Sequence, residues 1–155
     1  MLLNPTFAHT THLGKLASMG LGFDELRTLN ERLIYCSITG FGPDGPHSKR
    51  LYDTSQDKGV KHILFVRGGY DVIAASMGGL MNVTGDPEGG PAKVGVAMTD
   101  LMTALYAHGA IMAALIQRGN TGQGQKIDCN LLSTQVSAMT HLAGNWLNAN
   151  QISKR

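Results

Sequence analysis

Charge is scarce in this chain and balanced in sign: 15% of the 155 residues are Asp, Glu, Lys or Arg, for a formal net charge of +2. Thirteen Lys and Arg against eleven Asp and Glu make no basic field, and no basic cluster interleaves with aromatics, so nucleic acid is not an expected partner. A small polyanionic ligand stays open. Cysteine is nearly absent. Cys36 and Cys129 lie far apart, without CxxC spacing or a neighbouring histidine, which points to reduced, buried thiols in an intracellular compartment. The longest apolar run, Leu101 to Ile116, is shorter than a membrane span requires and contains Tyr106 and His108, so a soluble protein with no membrane role is expected. Met1 to Leu13 lacks the apolar core of a secretory signal and the arginines of an organelle-targeting peptide. No cluster with metal-ligand spacing occurs, and His9 and His12 read as solvated. Internal repeats and low-complexity tracts are missing too.

What the chain does have is an order of helices and strands that favours an α/β fold. Phe23 to Asn30 carries apolar residues at 23, 26 and 29, as a short surface helix would. Leu33 to Ile38 is β-branched and aromatic, ends in Gly40, and predicts a buried strand. A loop from Gly40 to Arg50, a helix from Tyr70 to about Met81 and a Gly/Pro loop from Gly85 to Pro91 follow. The apolar helix ends in Arg118-Gly119-Asn120-Thr121-Gly122, with a cation in its last turn and a glycine stop. Gln125 to Asn130 predicts a second strand, and Leu131 to about Asn148 a last helix.

Asp100 is the most informative side chain. It lies where Val94-Gly95-Val96-Ala97-Met98-Thr99-Asp100 runs into the apolar helix. A carboxylate there needs backbone N–H groups and the helix dipole to solvate it, and a helix's first turn offers both. The result would be an ionised, partly desolvated oxygen nucleophile. For this segment alone a simpler reading is that Thr99 or Asp100 is the N-cap.

Gly40-Phe41-Gly42-Pro43-Asp44-Gly45 matches G-x-G-x-x-G after a predicted strand. A pyrophosphate cradle needs free N–H groups and a helix directly behind the glycines, whereas Pro43 and Pro46 remove two donors and His47 to Arg50 has no helical periodicity. A rigid turn at a strand end is the better reading. His108 stands roughly 12 Å along the axis from Asp100, at ~1.5 Å per residue, so the two form no dyad, and His108 reads as a packed helix histidine. Met77, Met81, Met98, Met102 and Met112 read as core filler.

Taken together, Ile34 to Gly42 with Gly45-Pro46, Gly69 to Ala74, Gly79-Leu80-Met81, Thr84 to Pro87, Val94 to Asp100, and Thr121 to Gln125 with Ile127-Asp128 and Leu131-Leu132 resemble the class III CoA-transferase family. Six motifs in the right order over most of residues 14 to 150 carry the resemblance. Ile127 to Val136 with His141-Leu142-Ala143 is most similar to the branch that uses succinyl-CoA and glutarate or a similar dicarboxylate. The resemblance implies that Asp100 attacks the acyl-CoA thioester, that Tyr70 stands beside CoA, and that Thr39, Gly40 and Phe41 form the CoA-side loop. Related acyl-CoA racemases have a histidine base at the position of Tyr70. Phenols ionise only near pH ~10 and are poor proton acceptors at neutrality, so the tyrosine argues for transfer. Coenzyme A is then a co-substrate, no metal or other cofactor is implied, and family membership implies a mitochondrial location.

Family members are much longer and form interlocked dimers. The resemblance therefore implies a fragment of the class III fold, with an incomplete nucleotide-binding-like domain. It divides the chain into an unmatched segment (1–13), a partial transferase domain (14–50 and 67–150), an inserted loop (51–66) and a tail (151–155). The family's Asn-aromatic-x-Pro-Gly segment has no match before Lys15, and its glycine-rich closing loop would lie beyond Arg155. A truncated chain of this kind is expected either to be a transferase that works as a homo-oligomer or with partner chains supplying the missing walls, or to be a non-catalytic form that associates with a full-length relative.

Overall fold

The computed structural model describes residues 6–9, 14–52, 63–66, 69–153 and 155. Three parallel strands form its sheet: β1 (Thr6–His9), β2 (Tyr35–Thr39) and β5 (Lys126–Asn130), with β2 in the middle. Tyr35 pairs with Lys126 and Ile38 with Cys129. Successive side chains on a strand point to opposite faces, and here the alternation separates two chemistries. Cys36, Ile38, Ile127 and Cys129 form one apolar face with Ala107, Ile111 and Ala114 of helix α3 (Met98–Thr121). Tyr35, Ser37, Lys126 and Asp128 alternate with them onto the other face, where Phe23 and Leu26 of α1 (Phe23–Leu29) pack against Tyr35 and Leu33.

α3 is held to the sheet by one narrow stripe. Thr99, Thr103, Ala107, Ile111 and Ala114 are its buried residues, spaced three or four apart and mostly small, so the helix lies close against β2 and β5. The helix is apolar on nearly every face, and much of it is left uncovered: Leu101, Leu105, Tyr106, Met112 and Ile116 are exposed, Leu105 at 71% and Ile116 at 70%. Met77 and Met98 are exposed as well, so the methionines as a set are not core filler, and His108 is exposed rather than packed. At 24 residues α3 is also long enough to cross a bilayer, which removes the length argument made from the sixteen-residue run. Its packing onto the sheet accounts for the apolar stripe.

The C-terminus of α3 behaves as its sequence predicts. Gly122 adopts φ +76°, and its N–H returns to the Arg118 carbonyl. Arg118 donates to the Arg32 carbonyl at 3.1 Å and Arg32 donates to the Gly122 carbonyl at 3.0 Å, which latches this end to the chain entering β2.

Two expected helices are interrupted. α2 (Asp71–Met77) stops at Gly78, and Gly79, at φ +86°, turns the chain into a short 3-10 segment (Leu80–Val83). The last helix divides at Met139 into α4 (Leu131–Ala138) and α5 (Thr140–Ala149). Asn130 ends β5 and caps α4, its Oδ1 accepting the Ser133 N–H at 2.8 Å. Lys49 and Arg50, expected in a loop, belong to β3 (Lys49–Tyr52), which pairs antiparallel with β4 (Ile63–Val66) in a separate two-stranded sheet. The polar half of the expected insertion, Asp53 to Gly59, lies outside the described residues, as does the terminal segment apart from β1.

Two glycines decide whether the chain can close. A Cβ on Gly40 would overlap the Cα of Gly69, and the reverse holds as well, because the two backbones touch directly. Gly109, by contrast, sits inside α3 with open space where a methyl group would go. Gly40→Ala or Gly69→Ala should cost about 1–3 kcal/mol or more by overpacking. Gly109→Ala should gain about 0.5–1 kcal/mol by helix propensity. Urea midpoints moving in opposite directions for the two kinds of variant would check this.

Cys36 is buried and Cys129 half-buried; both are free thiols in the cluster packed beneath α3. Burial first, then the neighbouring Cys129, pushes the Cys36 thiol up to about 11. Because the folded value is raised, the folded chain holds its proton more tightly than the unfolded one. The stabilisation is complete below the ordinary thiol value of 9.0 and is lost as pH rises toward about 11. Unfolding free energy should fall across that window, and Cys36→Ala should flatten the fall.

Candidate active site

The five residues singled out in the sequence sit at the ends of elements, and a series of short contacts links those ends. β2 finishes at Thr39, whose Oγ1 accepts the Gly42 N–H at 3.0 Å and folds the chain back on itself. The Gly40 carbonyl accepts the Leu132 N–H at 3.0 Å, which ties the end of β2 to the start of α4. Gly42 takes φ +80° beside Asn130. Among residues 40–48 no helix opens behind the glycines, so this loop has the form of a rigid turn and not of a dinucleotide cradle.

Gly69 lies against Gly40 and delivers Tyr70 and Asp71 to the same place. Tyr70 is the N-cap residue of α2, with an extended backbone (φ −115°, ψ 148°) and a side chain 62% exposed. Asp71 opens the helix and reaches across to α3: its Oδ1 accepts the Thr99 N–H at 2.7 Å and the Asp100 N–H at 3.1 Å. α3 cannot satisfy these donors from its own N-cap, because that residue is Ala97 and carries no side-chain acceptor. Neither Thr99 nor Asp100 is the cap.

Thr99 is fully buried instead. Its Oγ1 donates to Gln135 Oε1 at 2.8 Å, and its carbonyl accepts the Thr103 hydroxyl at 2.7 Å. Gln135 is also fully buried, and its Nε2 has no hydrogen-bond partner among the described residues. Asp71 and Gln135 are the residues that sequence reasoning did not single out. Asp71 could have been found, since a helix whose N-cap is alanine needs an acceptor from elsewhere.

Tyr70 and Asp100 are thus brought together through Asp71, and Thr39 and Gly40 join them through Gly69. Thr39, Gly40 and Phe41 are buried, so what they offer a ligand is backbone and the rim of the turn. Asp100 is exposed among the described residues, where the sequence implied partial desolvation. The assembly stands beyond the carboxyl ends of parallel strands β2 and β5, the position where open α/β sheets bind ligands.

Concavity and chemistry do not coincide here. A cavity of about 460 Å³ lies at the other sheet face, lined by residues that include Asp24, Glu25, Tyr35, Lys126 and Asp128, and none of the five predicted residues reaches it. Its lining is carboxylate-rich, and Lys126 is already engaged with Asp128 at 2.9 Å. The contacts among chain ends define the candidate site better than volume does.

Comparison with known proteins agrees with this architecture. Residues 7–155 match the model of CoA-transferase family III, and the chain belongs to this family. It is 47% identical over 142 residues to the succinyl-CoA:glutarate CoA-transferase of Homo sapiens, covering 92% of this chain and 28% of that protein. It is 42% identical over 132 residues to a succinate–glutarate CoA-transferase of Agrobacterium fabrum, covering 85% of this chain and 29% of that protein. A CaiB/BaiF family protein from Brucella suis superposes with a TM-score of 0.81 at 38% identity, over 96% of this chain and 35% of that one. The chain therefore spans under a third of the length of these curated relatives, and the fold is a part of the class III fold.

Proposed function

We propose that this chain carries the nucleophile of a CoA-transferase that moves CoA between an acyl-CoA and a carboxylic acid. Succinyl-CoA as donor and glutarate or a similar dicarboxylate as acceptor are the substrate pair we favour. The observation that supports the reading is the clasp of Asp71, the residue after Tyr70, on the Thr99 and Asp100 N–H groups. Similarity to the human and Agrobacterium transferases supports the substrate class.

In this mechanism an Asp100 carboxylate oxygen attacks the thioester carbonyl carbon. The C–S bond breaks, CoA leaves as thiolate, and a mixed anhydride remains on Asp100. The thiolate then attacks the aspartyl carbonyl, expels the donor acid as its carboxylate, and leaves an aspartyl-CoA thioester. An acceptor carboxylate attacks that thioester, and the same two steps run in reverse to release the new acyl-CoA and restore Asp100. No proton is consumed overall. Each intermediate keeps an activated acyl linkage at the Asp100 carboxyl, so the thioester of the donor acyl-CoA meets the whole energetic need. Tyr70 and the turn at Thr39, Gly40 and Phe41 would hold CoA on one side. Tyr70 in place of a histidine base sets racemisation of an acyl-CoA below transfer.

In a full-length context carrying this segment, Asp100→Ala should abolish exchange of labelled CoA, and Asp100→Asn, which keeps the shape without the nucleophile, should nearly do so. Hydroxylamine added during turnover should convert Asp100, and not Asp128, to a hydroxamate detectable by peptide mass. Retention of most exchange by Asp100→Ala would remove the mechanism.

An anhydride survives only where water is excluded, and Asp100 here is exposed beside exposed Met98 and Leu101. Walls that exclude water would be supplied by residues beyond those described, whether of the same polypeptide, a second copy or a full-length relative. The exposed apolar face of α3, with a groove lined by Met102, Leu105, Tyr106, Gly109 and Ala110, supports that requirement. As a 155-residue chain the protein should self-associate in sedimentation and show negligible exchange, and co-expression with a full-length relative should raise its solubility. A monodisperse monomer that exchanges CoA unaided would show that no partner is needed.

A further inference from the structure

Thr99, the residue that precedes Asp100, is held at each of its polar groups, and each hold comes from a different helix. Its N–H donates to Asp71 Oδ1 on α2 at 2.7 Å, its hydroxyl donates to Gln135 Oε1 on α4 at 2.8 Å, and its carbonyl accepts the Thr103 hydroxyl within α3 at 2.7 Å. Thr99, Thr103 and Gln135 are all fully buried. The Gln135 side chain is confined along its stem as well, since a Cβ on Gly78, the C-cap of α2, would run into Gln135 Cγ.

The bond between Thr99 and Gln135 joins the two halves of the site. Gln135 lies one turn into α4, and the start of that helix is tied to the turn after β2 by the Leu132 N–H, which donates to the Gly40 carbonyl at 3.0 Å. On the other side Asp100 follows Thr99 directly. A path of short bonds therefore runs from the turn at Thr39, Gly40 and Phe41, through α4, to the backbone that carries Asp100.

Stability is a weak reason for such a bond. A hydroxyl and an amide buried together have given up water, and replacing both by apolar groups of the same shape is often neutral or stabilising. Apolar isosteres fill the space but impose no direction, whereas a hydrogen bond fixes a distance and an angle. Direction matters for attack on a thioester, because the reacting atoms must be held ~3–3.5 Å apart and aligned.

We propose that Gln135 is a positioning residue for CoA transfer: through the Thr99 hydroxyl it fixes the backbone of Asp100 relative to the CoA-side turn. The inference rests on Asp100 being the nucleophile and deepens that reading.

The double variant Thr99→Val with Gln135→Met removes the bond and keeps the volume. Its urea midpoint, measured on the 155-residue chain, should equal or exceed that of the parent. Amide hydrogen exchange on the same chain should be about tenfold faster at Asp100 and unchanged at Ile111 and Ala114 farther along α3. In the full-length context its kcat should fall at least about tenfold, with KM for acyl-CoA within about twofold, because the CoA-side turn is untouched. A structural role predicts that activity follows stability, so a stable double variant with parental kcat, or with unchanged protection at Asp100, overturns the inference.

Single substitutions decide the matter even if the double variant folds poorly. Thr99→Ser keeps the bond and loses packing, and Thr99→Val keeps packing and loses the bond. The serine variant should be the less stable and should hold kcat within about threefold of the parent. Equal or higher kcat in Thr99→Val than in Thr99→Ser overturns the proposal. If Asp100→Ala abolishes transfer while these variants leave kcat intact, the inference about Gln135 fails and the nucleophile assignment stands. If Asp100→Ala retains transfer, the assignment itself fails.

Discussion

One carboxylate oxygen determines how the two helices of the site meet. The N-terminus of a helix leaves its first N–H groups without intrahelical partners, and a half-buried end must find acceptors for them. α3 begins after an alanine, so the acceptor has to be imported, and Asp71 supplies it to Thr99 and Asp100. That requirement orients α2, because its first residue must face the end of α3. The orientation of α2 then directs Gly69 toward the end of β2, where only glycine on both sides permits the approach to Gly40. The closing contacts of the site all follow from satisfying one helix end.

The sequence revealed the central elements for the usual reasons. β-branched and aromatic character running into Gly40 marked β2, and the glycine stop at Gly122 marked the end of α3. It was less informative where tertiary contacts overrode local pattern. A helix through Met81 was a reasonable expectation until Gly79 adopted a left-handed backbone, a choice that any glycine permits and no spacing announces. Periodicity also cannot tell which faces of the apolar α3 this chain covers by itself. Asp100, Tyr70 and the Thr39 to Phe41 turn stood out as single segments. Their adjacency was not legible, since it depends on Asp71 and on a glycine pair twenty-nine positions apart.

The two faces of the sheet illustrate the difference between an architectural surface and a chemical one. Parallel strands are ordinarily covered on both faces. Here the α3 face is sealed by small side chains and two thiols, whereas the α1 face keeps Lys126 and Asp128 partly in solvent and leaves a cavity between helix and sheet. An exposed ion pair of this kind contributes little to stability. Its cavity is a gap in coverage, and the chemistry gathers where strand ends and helix starts converge.

The pairing of β2 with β5 has a kinetic meaning as well. Tyr35 meets Lys126 only after α2 and α3 have been threaded between them, so the central ladder of the sheet joins segments 91 positions apart. Such distant pairings require loop closure before they return any energy, and folds that depend on them form slowly. During synthesis α2 and α3 emerge before β5, and the stripe of α3 that will rest on Ile127 and Cys129 has half its platform missing until then. α3 is therefore made early and fully anchored late, and the newborn chain passes through an interval in which its most apolar segment has only half of its eventual surface to rest on.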